Sequence, residues 1–141
     1  MIPPFCDGMN LPAGLHAATL EEVQQYFGTS PKRAYLCGRL QEILQTAREC
    51  HFRKVILFGS FVSSKVSPGD IDLFWTLAPG TDTDELPNPC RELLDAPNSK
   101  SRFMCDVFWC FDDEATINYM TTLWELDRTG RTRGLVMIEL Q

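Results

Sequence analysis

Apolar side chains recur at Leu20, Val23 and Phe27, a spacing that predicts a short helix. Thr19 and Glu22 stand three apart as a capping box, and Gly28 stops the turn. Ahead of it, residues 1–18 hold three prolines and two glycines and read as an extended lead-in. The stripe Leu36, Leu40, Ile43, Leu44 and Ala47 predicts a longer helix from Ser30 to Cys50. Ser30 caps it and Pro31 suits its first position. The unbroken run Val55 to Phe58 then predicts a buried strand ending at Gly59. Asp70 to Leu77 starts with alternating charged and apolar residues, a second strand, and Ser60 to Val66 leaves room for one or two helical turns between them.

Residues 78–101 carry Pro79, Pro87, Pro89 and Pro97, which predicts a long surface connection with a short helix near Arg91–Leu94. Phe103 to Phe111 is a third strand, and Thr116 to Asp127 fits a helix better than a strand. Arg128-Thr129-Gly130-Arg131 reads as a turn into a last strand, Gly134 to Leu140. The mixture predicts one α/β (α+β) domain over residues 1–141: a small mixed sheet with helices packed on it. The first two helices occupy 19–50 and the closing helix and strand 116–140.

Composition narrows the function classes. At 141 residues and 44% apolar content the chain is long enough for a substantial core. Its 13 basic and 19 acidic residues leave a net charge of −6, which argues against a long nucleic acid as partner but allows a single-nucleotide site. No apolar run reaches a membrane span, and Met1-Ile2-Pro3-Pro4 does not start like a signal peptide, so the expected location is cytoplasmic. The six cysteines form no C-x-x-C pair and are accordingly read as reduced, small apolar groups. Trp75, Trp109 and Trp124 are read as core. Arg128, Arg131 and Arg133 are read as a solvated basic turn, with phosphate contact as the alternative.

The segment that carries chemistry runs from Val55-Ile56-Leu57-Phe58-Gly59-Ser60 through nine residues to Asp70-Ile71-Asp72-Leu73. On a strand Asp70 and Asp72 share one face, with Cα atoms about 6.8 Å apart. Two carboxylates converging to about 4 Å repel by about 4 kcal/mol at an effective dielectric of 20. A fold keeps such a pair when a cation lies between them or when one takes a proton. Hard oxygen ligands favour magnesium, which binds through a few carboxylates and substrate phosphates. Glycine at the strand end permits a sharp turn and close backbone approach, and Ser60 is placed to open a helix whose N–H groups would cradle phosphate. Asp106, alone among Phe103-Met104-Cys105 and Val107-Phe108-Trp109, needs a partner for its charge.

G-S followed by D-x-D on the next strand resembles the nucleotidyltransferase superfamily typified by DNA polymerase beta, in particular its minimal single-domain members. The motif-bearing part covers about residues 54–111. Leu11-Pro12-Ala13-Gly14-Leu15-His16 and Asp127-Arg128-Thr129-Gly130-Arg131-Thr132-Arg133-Gly134 also look like the ends of small nucleotidyltransferase-like proteins. The resemblance implies a nucleotidyltransferase-like fold and a two-metal, Mg2+-dependent transfer of a nucleotide from a nucleoside triphosphate to a hydroxyl, on a protein, an RNA end or a small molecule. Asp70 and Asp72 would hold both ions. Asp106 would complete the second and help deprotonate the acceptor, while Gly59 and Ser60 would hold the outer phosphates.

The chain departs from that pattern where many minimal members carry arginines. After Gly59-Ser60 it has Phe61-Val62-Ser63-Ser64, so the sequence leaves Lys65 as the cation for the triphosphate. It also lacks a long C-terminal domain to present a substrate, so an acceptor must be recognised by the core, a second copy or a partner chain. The competing expectation is a catalytically inactive binding module that acts through a partner, as in toxin–antitoxin pairs.

Overall fold

The computed structural model describes residues 1–140; the predicted domain 1–141 also includes Gln141, which lies outside the described residues. The predicted helix start is formed as a reciprocal cap. The backbone N–H of Thr19 donates to Glu22, and that of Glu22 donates to the Thr19 hydroxyl, each at 3.1 Å. From this cap α1 runs Leu20–Phe27, turns Val23 and Phe27 inward and stops at Gly28. α2, Pro31–Glu49, is capped by Ser30 and buries the predicted stripe, to which it adds Arg33 and Cys37.

Five strands make one mixed sheet in the order β1-β5-β2-β3-β4. They are β1 Leu15–Ala17, β2 Lys54–Phe58, β3 Ile71–Leu77, β4 Cys105–Phe111 and β5 Leu135–Glu139. β2 runs antiparallel to β3 and β5, whereas β1–β5 and β3–β4 are parallel pairs. Alternation along each strand divides the side chains between two faces. Val55, Leu57, Leu73, Trp75, Val107, Val136 and Ile138 enter the large core beneath α1, α2 and the α3–α4 region. Ile56, Phe58, Phe74, Cys110 and Leu135 face the other way, toward Ile117, Met120 and Trp124 of α5, Glu114–Trp124. The α+β architecture is therefore as the pattern predicts.

Several local expectations are corrected. β1 lies inside the predicted lead-in, because its backbone completes the sheet beside β5. The proline-rich connection holds two helices, α3 Asn88–Leu94 and α4 Ala96–Phe103. Pro89 and Pro97 stand in their first turns, where a missing N–H leaves no hydrogen bond unmade. Met104, left-handed at φ 57, ends α4 and delays β4 to Cys105. The stretch after β2 forms a single 3₁₀ turn, Gly59–Val62, too short for the α-helical N-terminus expected at Ser60. Cys50, at the end of α2, is disulfide-bonded to Cys90 of α3, which overturns the reduced reading for this pair; Cys6, Cys37, Cys105 and Cys110 are free thiols. Trp75 is core as read, but Trp109 is 37% exposed on the edge strand. No helix among the described residues is long and apolar enough to cross a membrane.

The two ends of the chain meet. Asn10 donates to Asp127 at 3.0 Å, and the N–H groups of Gly134 and Leu135 donate to the carbonyls of Leu11 and Gly14. At Gly134 a Cβ would overlap the Pro12 carbonyl, so the flanking segments pack glycine against backbone. Asp127 also accepts from the N–H groups of Thr129 and Arg131 and from the Thr129 hydroxyl, which closes the turn that leads into β5.

Candidate metal centre

The parallel register of β3 and β4 sets Asp72 directly beside Asp106. Asp70 immediately precedes β3, and one carboxylate oxygen from each of the three lies within 4.8 Å of the others. The sequence suggested the first pair by its alternation and the third member by its isolation in an apolar run; their convergence comes from strand order, which no local pattern encodes.

Three carboxylates so close cannot all carry charge cheaply. Burial acts most strongly on Asp72, followed by the charge of Asp70 and then the hydrogen bond and charge of Asp106; together they push its pKa up to about 7. Asp72 thus holds a proton through part of the neutral range when no cation is near. Gly59 completes this wall. Its φ of +78° belongs to the left-handed region, and a Cβ there would overlap Asp72 Oδ2. Glycine is required for both the turn and the close approach of the carboxylate. Cys105, at the base of β4, is kept a thiol: burial first, then the three carboxylates, push its pKa up to about 12.

A residue outside the predicted set supplies the counter-charge. Lys100, on α4, ion-pairs with Asp70 and reaches Asp106 Oδ2 at 3.2 Å. Its hydrogen bond to Asp70, the largest effect, raises its own pKa. The signal available in the sequence was that converging carboxylates demand a cation and that Lys100 is a basic group six residues before Asp106. The donor set suits a hard divalent ion, since it offers several carboxylate oxygens and already attracts a cation. Lys100 must yield its contacts to such an ion. The expected result of Lys100→Ala is divalent binding about fivefold tighter, the size of a partly exposed ion pair given up in competition. Manganese titration followed by electron paramagnetic resonance measures it; unchanged or weaker binding would show that the ammonium does not compete.

The loop after Gly59 is organised by another unpredicted residue. Arg33 is buried at 3% exposure without a carboxylate partner. Its guanidinium donates to the carbonyls of Phe27, Ser60, Phe61, Ser63 and Lys65 at 2.6–3.3 Å and lies over the rings of Phe27 and Phe61. Those bonds turn the carbonyls of residues 60–65 inward and shape the loop around a positive charge. Of the residues predicted to meet phosphate, Gly59 is at the carboxylates and Ser60 follows it in the 3₁₀ turn. Lys65 is placed differently: its carbonyl is held by Arg33, its side chain is exposed, and it forms no ion pair with the three aspartates.

No curated protein and no solved structure matches the chain. Residues 3–139 match one family, and on that match the chain belongs to the family of unknown function DUF6932.

Proposed function

We propose that the protein is a magnesium-dependent nucleotidyltransferase that moves a nucleotide from a nucleoside triphosphate to a hydroxyl. The observation that carries this reading is the meeting of Asp70, Asp72 and Asp106 within 4.8 Å beside the left-handed Gly59. In this reading Asp70, Asp72 and Asp106 hold magnesium, which when bound stabilises the negative charge that develops on the transferring phosphoryl group. The acceptor oxygen forms its bond to the α-phosphorus as the bond to the β-phosphate oxygen breaks. Pyrophosphate leaves with the electron pair, and the hydroxyl proton passes to Asp106. Asp106 is suited to this role because it is half-buried at the open edge of the sheet, where an acceptor has access.

The test combines each of the four α-labelled ribonucleoside triphosphates with the protein, magnesium and cell extract. Transfer of label that is lost with Asp106→Ala, in a variant with unchanged circular dichroism, is the expected result. The reading fails if calorimetry finds magnesium-dependent triphosphate binding unaltered in Asp70→Asn and Asp72→Asn.

A second reading keeps the domain as a binding module without chemistry. It is favoured by the uncovered apolar side chains Trp109, Tyr119, Leu123 and Leu126 on the edge strand, α5 and the segment after it. Absence of labelling together with a stoichiometric co-purifying protein would select it.

A further inference from the structure

Resting on the transferase reading, the search for the group that grips the phosphates leads to the turn before β5. The loop after Gly59-Ser60 offers only Phe61, Val62, Ser63 and Ser64 before the exposed Lys65, and Arg33 turns its carbonyls rather than its cations to the protein. Lys100 is committed to Asp70 and Asp106. The remaining cation at this end of the sheet is Arg133.

Its position follows from the register. Val136 pairs with Leu57 and Asp72 pairs with Phe58, so the chain entering β5 passes the strand end that carries Gly59 and Asp72. Arg133 Nε donates to the Trp124 carbonyl at 2.8 Å, and the Trp124 ring stacks on Phe58, next to Gly59, at 4.4 Å between centroids. These contacts anchor the stem of the guanidinium and fix its height above the sheet. Among the described residues neither Nη group has a hydrogen-bond or ion-pair partner.

The surroundings of Arg133 are unusual for an unpaired cation. It is half-buried, and that burial holds its pKa below the usual arginine value. The charges of Asp127 and Asp72 act on it, yet neither forms an ion pair with it. A partly desolvated guanidinium with most of its donors unused is matched by a planar or tetrahedral oxyanion that accepts two parallel bonds, as a phosphate does. Its neighbours do not share this state: Arg128 and Arg131 are exposed, and the charge of Arg131 acts on Asp7, at the chain's other end.

We infer that Arg133 binds the outer phosphates of the triphosphate, in place of a cation in the Gly59–Ser60 loop. Lys65 has no part in that contact. The residue holds the leaving pyrophosphate rather than the base, so its effect falls with the number of phosphates on the ligand.

Calorimetry on the full chain decides the matter, with magnesium tripolyphosphate, magnesium ATP and magnesium AMP as probes and manganese alone as the control for the carboxylates. Arg133→Gln is expected to weaken both triphosphate probes by about thirtyfold, the range of a lost charge-assisted pair, and AMP by less than about threefold. Manganese affinity and the effect of Lys65→Gln should each stay within about twofold of the unaltered protein. Triphosphate affinity retained in Arg133→Gln overturns the inference and leaves the transferase reading standing. An unaltered protein that binds manganese but no triphosphate, or neither, overturns both. Should Arg133→Gln fail to fold, Arg133→Lys keeps the charge without the fork and is expected to lose about tenfold, again more for ATP than for AMP. Equal losses for the two nucleotides would mark Arg133 as a structural anchor of Trp124 and overturn the assignment.

Discussion

Urea unfolding of Arg33→Met is expected to show a loss of about 3 kcal/mol or more. Replacing a buried ion pair with apolar groups is often harmless, because both partners are exchanged together. Here the partners are main-chain carbonyls of Phe27, Ser60, Phe61, Ser63 and Lys65, which no substitution at position 33 can remove. Methionine fills similar volume and keeps contact with the Phe27 and Phe61 rings, but it leaves several inward-turned oxygens without a donor. Arg33→Lys, which has a point charge and no planar fork, should recover about half of the loss. A midpoint shift worth less than about 1 kcal/mol for Arg33→Met would mean that water satisfies those carbonyls and that the arginine does not shape the loop. Because the same loop follows Gly59, the variant should also weaken triphosphate binding under conditions where it remains folded.

The second large effect is expected at Asp72. On the transferase reading, Asp72→Asn reduces magnesium-dependent label transfer by about a thousandfold or more, since charge stabilisation at the reacting phosphorus is worth several kcal/mol. The same position has a signature in the resting protein. Its folded pKa of about 7 stands above the ordinary carboxylate value, so the folded chain binds more protons than the unfolded chain between about pH 4 and pH 7. The stability Asp72 contributes is complete below that window and is lost as pH rises through it. With a chelator present, the melting temperature of the unaltered protein should therefore fall relative to that of Asp72→Asn as pH is raised from 4.5 to 7.5. Magnesium should restore it at the upper end, because a cation replaces the proton. A difference between the two proteins that does not vary with pH would show that the three carboxylates do not share a proton.

Much of the site could be read from sequence because each part has a local cause. The apolar run Val55–Phe58 ends at a glycine, Asp70 and Asp72 alternate with core residues, and Asp106 is the only charge within its strand. What escaped depends on distant packing or on position within an element. Pro89 and Pro97 look like breakers, yet in a first turn they are neutral, so α4 and with it Lys100 went unseen. Arg33 stands three residues before Leu36 and seven before Leu40, on the stripe that becomes the buried face of α2; reading that stripe one turn further back would have flagged a charge entering the core. Cys50 and Cys90 lie on separate elements, and choosing one pair among six cysteines needs the fold itself. The parallel pairing that sets Asp72 beside Asp106 is likewise a matter of topology.

Strand order also has a consequence for how the protein is made. β5 lies between β1 and β2, although it is the last of the five strands to be synthesised. Until Leu135–Glu139 emerge from the ribosome, β2 has an unpaired edge and β1 has no neighbour at all. During that interval the nascent chain exposes a strand, Val55–Phe58, that is wholly apolar and free to pair with another chain. Closure of the sheet around the strand added last is thus the step at which folding and self-association compete.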